Sequence, residues 1–283
     1  MAISPFWRRR RCGVLSLGRF DMQPRSILIT GASSGIGRAL ALDYAAPGVR
    51  LALIGRNKER LDAVAALARG QGAEVDAGLV DVRDQDAMAR WISAADARCG
   101  FDLCVANAGI TTGLAPGELT EDPQAVRAIL SSNLLGVLNT VEPLIVPMCA
   151  RRNGQLAFIG SIAGLRGLPY SPAYCMTKAA VHAYSESVRG RLEAEGVCVS
   201  LIIAGFVKTP LNDSIDAMKP LEVSDAQAAR IIRRGLDRRR AVIAFPRRLY
   251  FVARLGRLLP IRLVDKILSR VEVKAPKTQE RVR

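Results

Sequence analysis

Two hydrophobic patterns alternate over most of the chain. Short, almost wholly apolar runs predict strands that are buried on both faces, and these runs cover residues 26–30, 50–55, 74–82, 102–109, 155–160 and 197–203. Between them, apolar residues recur at helical spacing and predict a helix that carries Ile36, Leu40 and Tyr44, with further helices over 60–70, 85–100, 122–150 and 172–195. Helices that alternate with buried strands form right-handed crossovers between parallel strands. The pattern therefore predicts a single α/β domain with a doubly wound parallel sheet.

The pattern changes in the segment 241–270, where two apolar stripes are separated by Pro260. The first stripe contains Leu249, Phe251, Val252, Leu255, Leu258 and Leu259, and the second contains Ile261, Val264, Ile267 and Leu268. Four arginines lie mostly on the other side of the first stripe, namely Arg247, Arg248, Arg254 and Arg257. A basic amphipathic helix of this kind is typical of contact with an anionic membrane surface or with a protein partner. Docking on the protein's own domain or on an oligomer mate is the other open interpretation.

The positive charge of the chain is concentrated at its two ends. The formal net charge is +15, with 24% charged and 49% apolar residues. Residues 1–25 carry six arginines and one aspartate (+5), and residues 233–283 carry sixteen basic and four acidic residues (+12), which leaves −2 for the segment between them. A nearly neutral body does not indicate nucleic-acid binding. No apolar run approaches the roughly 20 residues that a membrane-spanning helix needs.

Composition and pattern together divide the chain into three parts. Residues 1–25 are expected to form a basic, disordered extension, unless translation begins at Met22. Residues 26–232 form the α/β domain, with a lid at about 210–230, and residues 233–283 form the basic amphipathic tail. Six scattered cysteines without a CxxC pair, and a single histidine, His182, indicate a reducing compartment and predict no metal site. We therefore expect a cytoplasmic protein, with a peripheral position on the inner face of a membrane as the alternative.

A glycine-rich turn, TGASSGIG at residues 30–37, follows the first predicted strand directly. Glycines at such a strand-to-helix turn permit a tight bend and a close approach of the backbone to a pyrophosphate. The amides at the N-terminus of the next helix would point at the same anion. We expect this turn to bind the phosphates of a dinucleotide through Gly31, Ser33, Ser34, Gly35, Ile36 and Gly37.

A tyrosine and a lysine four residues apart, Tyr174 and Lys178, share one face of the helix predicted over 172–195. Lysine is uncommon in this chain, since only seven of the 41 basic residues are lysines. A phenol has an ordinary pKa of about 10, and a nearby ammonium group favours the phenolate and lowers that pKa. We therefore expect Tyr174 to exchange a proton with a substrate oxygen, as a general acid or base.

Together these residues resemble the short-chain dehydrogenase/reductase family. The resemblance runs from about Ser26 to Thr209 and rests on the glycine turn, the NAG sequence at 107–109, Asn133, Ser161 and the Tyr174–Lys178 pair. It implies a Rossmann-type fold and an NAD(P)-dependent oxidoreductase that interconverts a carbonyl and an alcohol. By the same resemblance, a homodimer or homotetramer is expected.

The resemblance also implies roles for individual residues. Ser161 would hydrogen-bond the substrate oxygen, Lys178 would also bind the nicotinamide ribose, and Asn133 would hold a water that relays protons to Lys178. The remaining cofactor contacts would come from Asp81 and Val82 at the adenine, from Asn107 and Gly109, and from Gly205, Val207 and Thr209 near the nicotinamide. His182 is outside this constellation and is expected to be a packed or surface helix residue. Ala204 replaces the proline that is usual in the family, which predicts a looser loop.

The end of the second predicted strand bears on the choice of cofactor. An acidic residue there would bind the adenosine ribose of NAD, but this chain has Gly55, followed by Arg56. A guanidinium suits a 2′-phosphate through charge-assisted hydrogen bonds. NADP(H) is therefore the expected cofactor, with NAD(H) as the alternative and a solvated loop charge as the other interpretation of Arg56.

Several apolar residues near the expected site indicate a hydrophobic or lipid-like carbonyl or alcohol substrate, although loop packing explains them equally well. They are Leu165, Leu168 and Tyr170, with Leu211, Met218 and Leu221 in the lid. A competing function is a non-catalytic NADP(H)-binding scaffold or sensor that acts through the basic tail. A complete set of Asn133, Ser161, Tyr174 and Lys178 argues against it.

Overall fold

The computed structural model describes residues 24–111, 113–115, 117–213, 216–217, 219–268 and 273–274. The main sheet consists of β1 (Ser26–Thr30), β2 (Arg50–Gly55), β3 (Glu74–Leu79), β4 (Leu103–Ala106), β5 (Gln155–Ser161), β6 (Cys198–Ala204) and β10 (Val242–Phe245). Two-residue strands are β7 (Val207–Lys208), β8 (Asp216–Ala217), β9 (Val223–Ser224) and β11 (Val273–Lys274). The helices are α1 (Gly35–Tyr44), α2 (Lys58–Gly70), α3 (Gln85–Cys99), α4 (Pro123–Leu130), α5 (Gly136–Arg151), α6 (Pro172–Leu192), α7 (Pro210–Asp213), α8 (Asp225–Asp237), α9 (Arg247–Gly256) and α10 (Ile261–Leu268).

The seven strands of the main sheet are all parallel, in the order β10-β6-β5-β4-β1-β2-β3. This order confirms the predicted doubly wound fold of the Rossmann type. β3 and β4 are shorter than predicted, because they end at Leu79 and Ala106 rather than at residues 82 and 109. Val82 and Asn107 therefore lie in the loops that leave the sheet at its carboxyl edge.

Helices cover both faces of the sheet and enclose two apolar cores. On one face Ile27 and Ile29 of β1 share a core with residues of α1, α2 and α8. On the other face Leu28 shares a core with residues of α3, α5 and α6. The central strands are buried on both faces, which is why they are nearly continuous hydrophobic runs. The edge strand β3 is only partly buried and carries Glu74 and Asp76.

The seventh strand, β10, corrects the predicted boundary of the domain at residue 232. Residues 225–237 form α8, which packs against α1, and Val242–Phe245 pair in parallel with Leu201–Ala204 of β6. The sequence assigned these residues to the tail because a four-residue apolar run does not distinguish a strand from part of a helix. The described part of the segment 241–270 is thus a strand followed by two helices, which end at Leu268.

The helix predicted over 122–150 is present but interrupted. Ser131–Leu135 form a π-helical turn between α4 and α5. The combined stretch Pro123–Arg151 is the one helix among the described residues that is long and apolar enough to cross a membrane, and half of its most apolar window is buried in the protein. Val141 and Leu144 of this helix are fully buried, so this stretch serves as a core helix of the domain.

The predicted lid is shorter than 210–230, because α8 begins at Asp225 and belongs to the core. Of the apolar residues expected to contact substrate there, Leu211 lines the central cavity, whereas Leu221 is half exposed. Met218 lies outside the described residues, as do residues 1–23 of the basic extension and most of the tail beyond Leu268. The prediction of a disordered extension therefore stays a prediction.

Candidate active site

The carboxyl ends of the central strands open into one cavity of about 1250 Å³. It spans the point at which the strand order reverses, between β1 and β4. Parallel α/β sheets bind ligands at such a point because adjacent loops diverge there and leave a crevice. Most of the predicted site residues line this cavity, namely Gly31, Ser33, Ser34, Gly35, Ile36, Arg56, Val82, Asn107, Gly109, Ser161, Tyr174, Lys178, Gly205, Val207 and Thr209.

The glycine turn adopts the geometry that its sequence predicts. Gly31 and Gly35 have φ angles of +66° and +53°, a region in which a side chain is strained. At Gly37 a Cβ atom would lie 2.4 Å from the carbonyl oxygen of Gly31. Gly37 therefore does not line the cavity and instead lets α1 pack closely against the turn.

Asn107 and Thr30 tie the glycine turn to the next strand. The Asn107 Nδ2 group donates to the Thr30 carbonyl at 2.9 Å, and the Thr30 hydroxyl accepts from the backbone amides of Asn107 and Ala108 at 3.1 and 3.2 Å. These bonds hold the ends of β1 and β4 together. The helix α1 begins at this junction, and its N-cap residue Ser34 makes no side-chain capping bond, which leaves its hydroxyl available for an anion.

Two arginines, Arg56 and Arg60, lie just beyond the end of β2. Gly55 allows the chain to pass close to the glycine turn, because a Cβ atom there would lie 3.3 Å from the Ser33 side chain. Arg56 and Arg60 both line the cavity. Arg60 was not predicted from the sequence, although its position four residues after Arg56, in the first turn of α2, was the available signal.

Asp81 lies behind these two arginines and does not line the cavity. Its carboxylate accepts two hydrogen bonds from the Arg83 guanidinium, at 2.6 and 2.9 Å, and lies 3.8 Å from Arg56. Partial burial acts to raise the pKa of Asp81, but the bonds from Arg83 outweigh it and lower the pKa below its ordinary value. Asp81 is thus a carboxylate that orients arginines, and the adenine contact predicted for it remains untested.

Lys178 is buried at the end of the cavity that also holds Ser161 and Tyr174. Its Nζ atom donates to the Ile159 carbonyl at 2.9 Å and lies 5.6 Å from the centre of the Tyr174 ring. Burial lowers the pKa of Lys178 to about 8, because desolvation disfavours the ammonium form. The side chain is still mostly protonated at neutral pH.

The structure corrects the expected ionisation of Tyr174. Burial raises the pKa of the phenol above its ordinary value, and a hydrogen bond with Ser161 offsets only part of that rise. The Lys178 ammonium, which lies 5.6 Å from the ring centre, does not offset this effect of burial on the pKa of Tyr174. A neutral phenol is the form that can donate a proton to a carbonyl oxygen.

Ser161 ends β5 and faces both Tyr174 and His182. Its hydroxyl accepts from the Ala163 amide at 3.1 Å, and its own amide donates to Nε2 of His182 at 3.3 Å. His182 is buried and packs against Gly160 and Gly164, where a Cβ atom would lie 2.5 and 2.7 Å from the imidazole ring. His182 is a packed residue that supports the position of Ser161.

Asn133 is fully buried in the π-helical turn and does not reach the cavity. Its side chain clamps the backbone of Ile110, because Oδ1 accepts from the Ile110 amide at 2.7 Å and Nδ2 donates to the Ile110 carbonyl at 2.8 Å. Nδ2 also lies 3.4 Å from the Thr177 hydroxyl. The side chain therefore fixes the loop after β4 against α6, next to Lys178, and the water-holding role remains a prediction.

The loop after β6 is anchored where a looser loop was expected. Ala204, in place of the family's proline, is the last residue of β6 and pairs with Phe245 of β10. The Gly205 amide donates to the Phe245 carbonyl at 2.7 Å. The added strand thus holds the loop that carries Val207 and Thr209.

One wall of the cavity is apolar and includes residues of the C-terminal helices. Leu168 and Tyr170 line it as predicted, together with Leu249, Val252, Ala253, Leu255, Gly256, Leu259 and Val264 of the segment 247–268. Leu165 instead packs against the core. The Arg166 guanidinium, which also lines the cavity, is paired with Asp265 of α10 at 2.5 Å. The sequence left docking of this segment on the protein's own domain as an open interpretation, but it did not indicate that the docked helices would line this cavity.

A nicotinamide dinucleotide fits the residues of this cavity. The backbone of the glycine turn and the N-terminus of α1 face the cavity. Arg56 and Arg60 lie at one end of it, and Ser161, Tyr174 and Lys178 lie at the other. The cofactor would be held by the glycine turn, Arg56 and the residues that follow β4 and β6.

Comparisons with known proteins agree with this geometry. The short chain dehydrogenase family model matches residues 25–220. An uncharacterised oxidoreductase of Myxococcus xanthus is 35% identical over 252 residues, which cover 89% of this chain and 99% of the relative.

Two solved structures are also similar. A short-chain dehydrogenase from Sphingobium yanoikuyae in complex with NADPH has a TM-score of 0.73 and 25% identity, and the match covers 87% of this chain and 96% of that one. An NAD⁺-bound xylitol dehydrogenase has a TM-score of 0.61 and 27% identity, with 65% and 70% covered. The fold, the cavity and these matches together show that the chain belongs to the short-chain dehydrogenase family of NAD(P)-binding oxidoreductases.

Proposed function

We propose that this protein is an NADP(H)-dependent oxidoreductase that interconverts a ketone or aldehyde and the corresponding alcohol, on an apolar or lipid-like substrate. The observation that carries the proposal is that Ser161, Tyr174 and Lys178 line the same cavity as the glycine turn. A nicotinamide cofactor, when bound, supplies or accepts the hydride. The residues of the chain bind the substrate oxygen and move the proton.

In the direction of reduction, Tyr174 donates its phenolic proton to the carbonyl oxygen. Its raised pKa keeps the phenol protonated at neutral pH, and Ser161 donates a hydrogen bond that stabilises the charge developing on the same oxygen. The Lys178 ammonium stabilises the phenolate that is left behind, and its contact with the Ile159 carbonyl fixes its position. In the opposite direction, Tyr174 accepts the alcohol proton.

A preference for NADP(H) is supported by the cationic end of the cavity. Gly55 stands where an acidic residue would favour NAD(H), and Arg56 and Arg60 offer guanidinium groups to a 2′-phosphate. Arg56 is held loosely, since it is 3.8 Å from Asp81 and its side chain is 47% exposed. It therefore needs to give up little to bind an anion.

The apolar wall of the cavity supports a hydrophobic substrate. Leu168, Tyr170 and Leu249 offer apolar contacts, and the Tyr170 hydroxyl is the one hydrogen-bonding group among these three side chains.

We further propose that the enzyme is cytoplasmic and that it assembles as a homodimer or homotetramer. Light scattering of the purified chain would measure the mass of the oligomer.

The test is NADPH oxidation against a panel of apolar ketones and aldehydes, followed at the nicotinamide absorbance. Tyr174→Phe removes the proton donor and is expected to lower turnover by about 100-fold or more, while NADPH binding, followed by its fluorescence, persists. If wild type and Tyr174→Phe bind NADPH and are equally inert on every carbonyl and alcohol, the scaffold or sensor function replaces the enzymatic one.

A further inference from the structure

The exposed side of the C-terminal helices carries a cluster of large apolar side chains, here named the apolar patch. It consists of Phe251, Val252, Leu255, Leu258, Leu259, Ile261 and Leu263, which are 47–82% exposed. Elsewhere in the described residues the exposed large apolar side chains are dispersed along the chain, as at Leu67 and Leu119. Seven such residues within 251–263 form an apolar surface of the kind that marks an interaction site.

A cluster of exposed basic residues accompanies the apolar patch. Residues 247–266 contain six basic residues, and five of them are the exposed arginines Arg247, Arg248, Arg254, Arg257 and Arg262. The only acidic residue in this range, Asp265, is paired with Arg166. The surface therefore combines exposed apolar side chains with a net charge of +5.

The apolar patch is continuous with the cavity. Val252, Leu255 and Leu259 belong to the patch and also line the cavity. Leu249 and Val264, which are less exposed, extend the same apolar lining. An apolar molecule could pass from the patch to the cavity without leaving hydrophobic contact.

We propose that α9 and α10 lie on an anionic lipid surface, and that the cavity opens toward this surface to receive a membrane-dissolved carbonyl or alcohol. The lipid contact is independent of the reaction, whereas the delivery of substrate rests on the proposed function. Apolar side chains enter the acyl boundary, and the arginines of the same two helices meet lipid phosphates and carboxylates.

A second copy of the chain is a poorer occupant for the same surface. A two-fold contact through the patch would place its arginines opposite the arginines of the partner. Like charges that face each other across an interface oppose association. Anionic lipid supplies the complementary charge that another copy lacks.

The experiment is co-sedimentation of the full chain with phosphatidylcholine vesicles, with and without phosphatidylserine. We expect binding that requires phosphatidylserine. The variant Phe251→Ser/Leu258→Ser removes two apolar side chains that do not line the cavity. Its affinity for the phosphatidylserine vesicles is expected to fall by about tenfold or more. The matched control Leu67→Ser/Leu119→Ser, on other surfaces, is expected to bind as the unmodified protein does.

The charge is tested by Arg247→Glu/Arg257→Glu, with Arg90→Glu/Arg191→Glu as the control of equal net charge. Only the first pair is expected to abolish the dependence on phosphatidylserine. Equal binding by patch and control variants, or no vesicle binding by the unmodified chain, would overturn the proposal. A fall in oligomer mass for Phe251→Ser/Leu258→Ser in light scattering, with unchanged vesicle binding, would assign the patch to a second copy.

Reduction of a water-soluble ketone keeps the two proposals distinguishable. Activity without vesicle binding would support the enzymatic function and overturn the lipid contact. Vesicle binding without any activity would support the lipid contact and overturn the enzymatic function. Stimulation by phosphatidylserine vesicles is expected only for substrates that partition into lipid.

Discussion

His182 accepts a hydrogen bond from the amide of Ser161, does not itself line the cavity, and is neutral at physiological pH. Burial, with a smaller effect of the nearby Lys178 charge, lowers the pKa of the imidazole to about 4. The neutral ring can therefore accept a hydrogen bond from the Ser161 amide across the physiological pH range. Its function is to position Ser161, and the two glycines that pack against it make room for the ring.

This burial predicts a pH-dependent stability. Unfolded His182 binds a proton below its ordinary pKa of 6.5, whereas the folded protein binds it only below about 4, so the unfolded state holds more protons between these values. The free energy of unfolding is thus expected to fall as pH drops through this window, by about 3 kcal/mol from this group. Urea unfolding of wild type and His182→Gln measures the difference, and parallel pH curves for the two proteins would contradict it.

The position of Arg56 leads to a prediction about the relative affinities for NADPH and NADH. NADPH is expected to bind more tightly than NADH, and Arg56→Ala is expected to reduce the ratio of the two affinities by about tenfold, since a charge-assisted hydrogen bond is lost. Titration followed by nicotinamide fluorescence measures both affinities.

The control for Arg56 is Arg69→Ala, which removes an exposed arginine from the far end of α2, where it bonds the Val75 carbonyl. It should leave the ratio unchanged. Equal affinities of the unmodified protein for NADPH and NADH would end the argument for NADP(H).

At the scale of elements, the interruption of the long helix before α5 accounts for an unusual residue. Asparagine is unfavourable within a helix, and Asn133 is followed by two leucines. The π-helical turn places its amide beside Ile110, where both polar groups are bonded. π-helical turns are frequent at functional sites, and here the turn links the loop after β4 to the helix that carries Tyr174 and Lys178.

The junction of α3 and α5 predicts a stability effect. Arg151, at the end of α5, forms two hydrogen bonds to the buried carboxylate of Asp96, at 2.7 and 3.0 Å. Arg151→Ala would leave this carboxylate with the Phe101 amide, 2.7 Å away, as its remaining protein partner among those described. We expect a loss of about 3 kcal/mol in the free energy of unfolding, measured by denaturant titration.

The neighbouring residue provides a matched control. Arg152 forms an exposed pair with Glu195 at 3.7 Å, and Arg152→Ala is expected to cost less than about 1 kcal/mol. Similar losses in the free energy of unfolding for the two variants would show that the burial of Asp96 does not make its pair with Arg151 more stabilising than an exposed pair.

For the whole molecule, the decisive arrangement is the return of the C-terminal helices to the cavity. β10 adds to the sheet beside β6, and α9 starts directly beyond it. The chain thereby passes from the core to the carboxyl edge of the sheet, where the cavity lies. The pair formed by Arg166 and Asp265, 99 residues apart in sequence, links α10 to the loop after β5.

Charge reversal tests this link. Asp265→Arg is expected to increase amide hydrogen exchange in residues 247–266 but not in the sheet, because two cations replace an ion pair. An exposed pair contributes less than about 1 kcal/mol, so the melting temperature should change little. Adding Arg166→Asp is expected to restore the slow exchange, and a double variant as fast as the single one would show that the pair does not hold α10.

The sequence alone determined six of the seven strands of the main sheet, the glycine turn and the Tyr174–Lys178 pair, because these features depend on local spacing and hydrophobic period. Ser161 was added to the pair only through the resemblance to a known family. Only the tertiary structure decided the direction of the Tyr174 pKa, the partners of Asn133 and the position of the tail. These properties depend on burial and on contacts between residues far apart in the chain. Local patterns do not encode such contacts, and for that reason β10 and the apolar wall of the cavity were found only in the folded molecule.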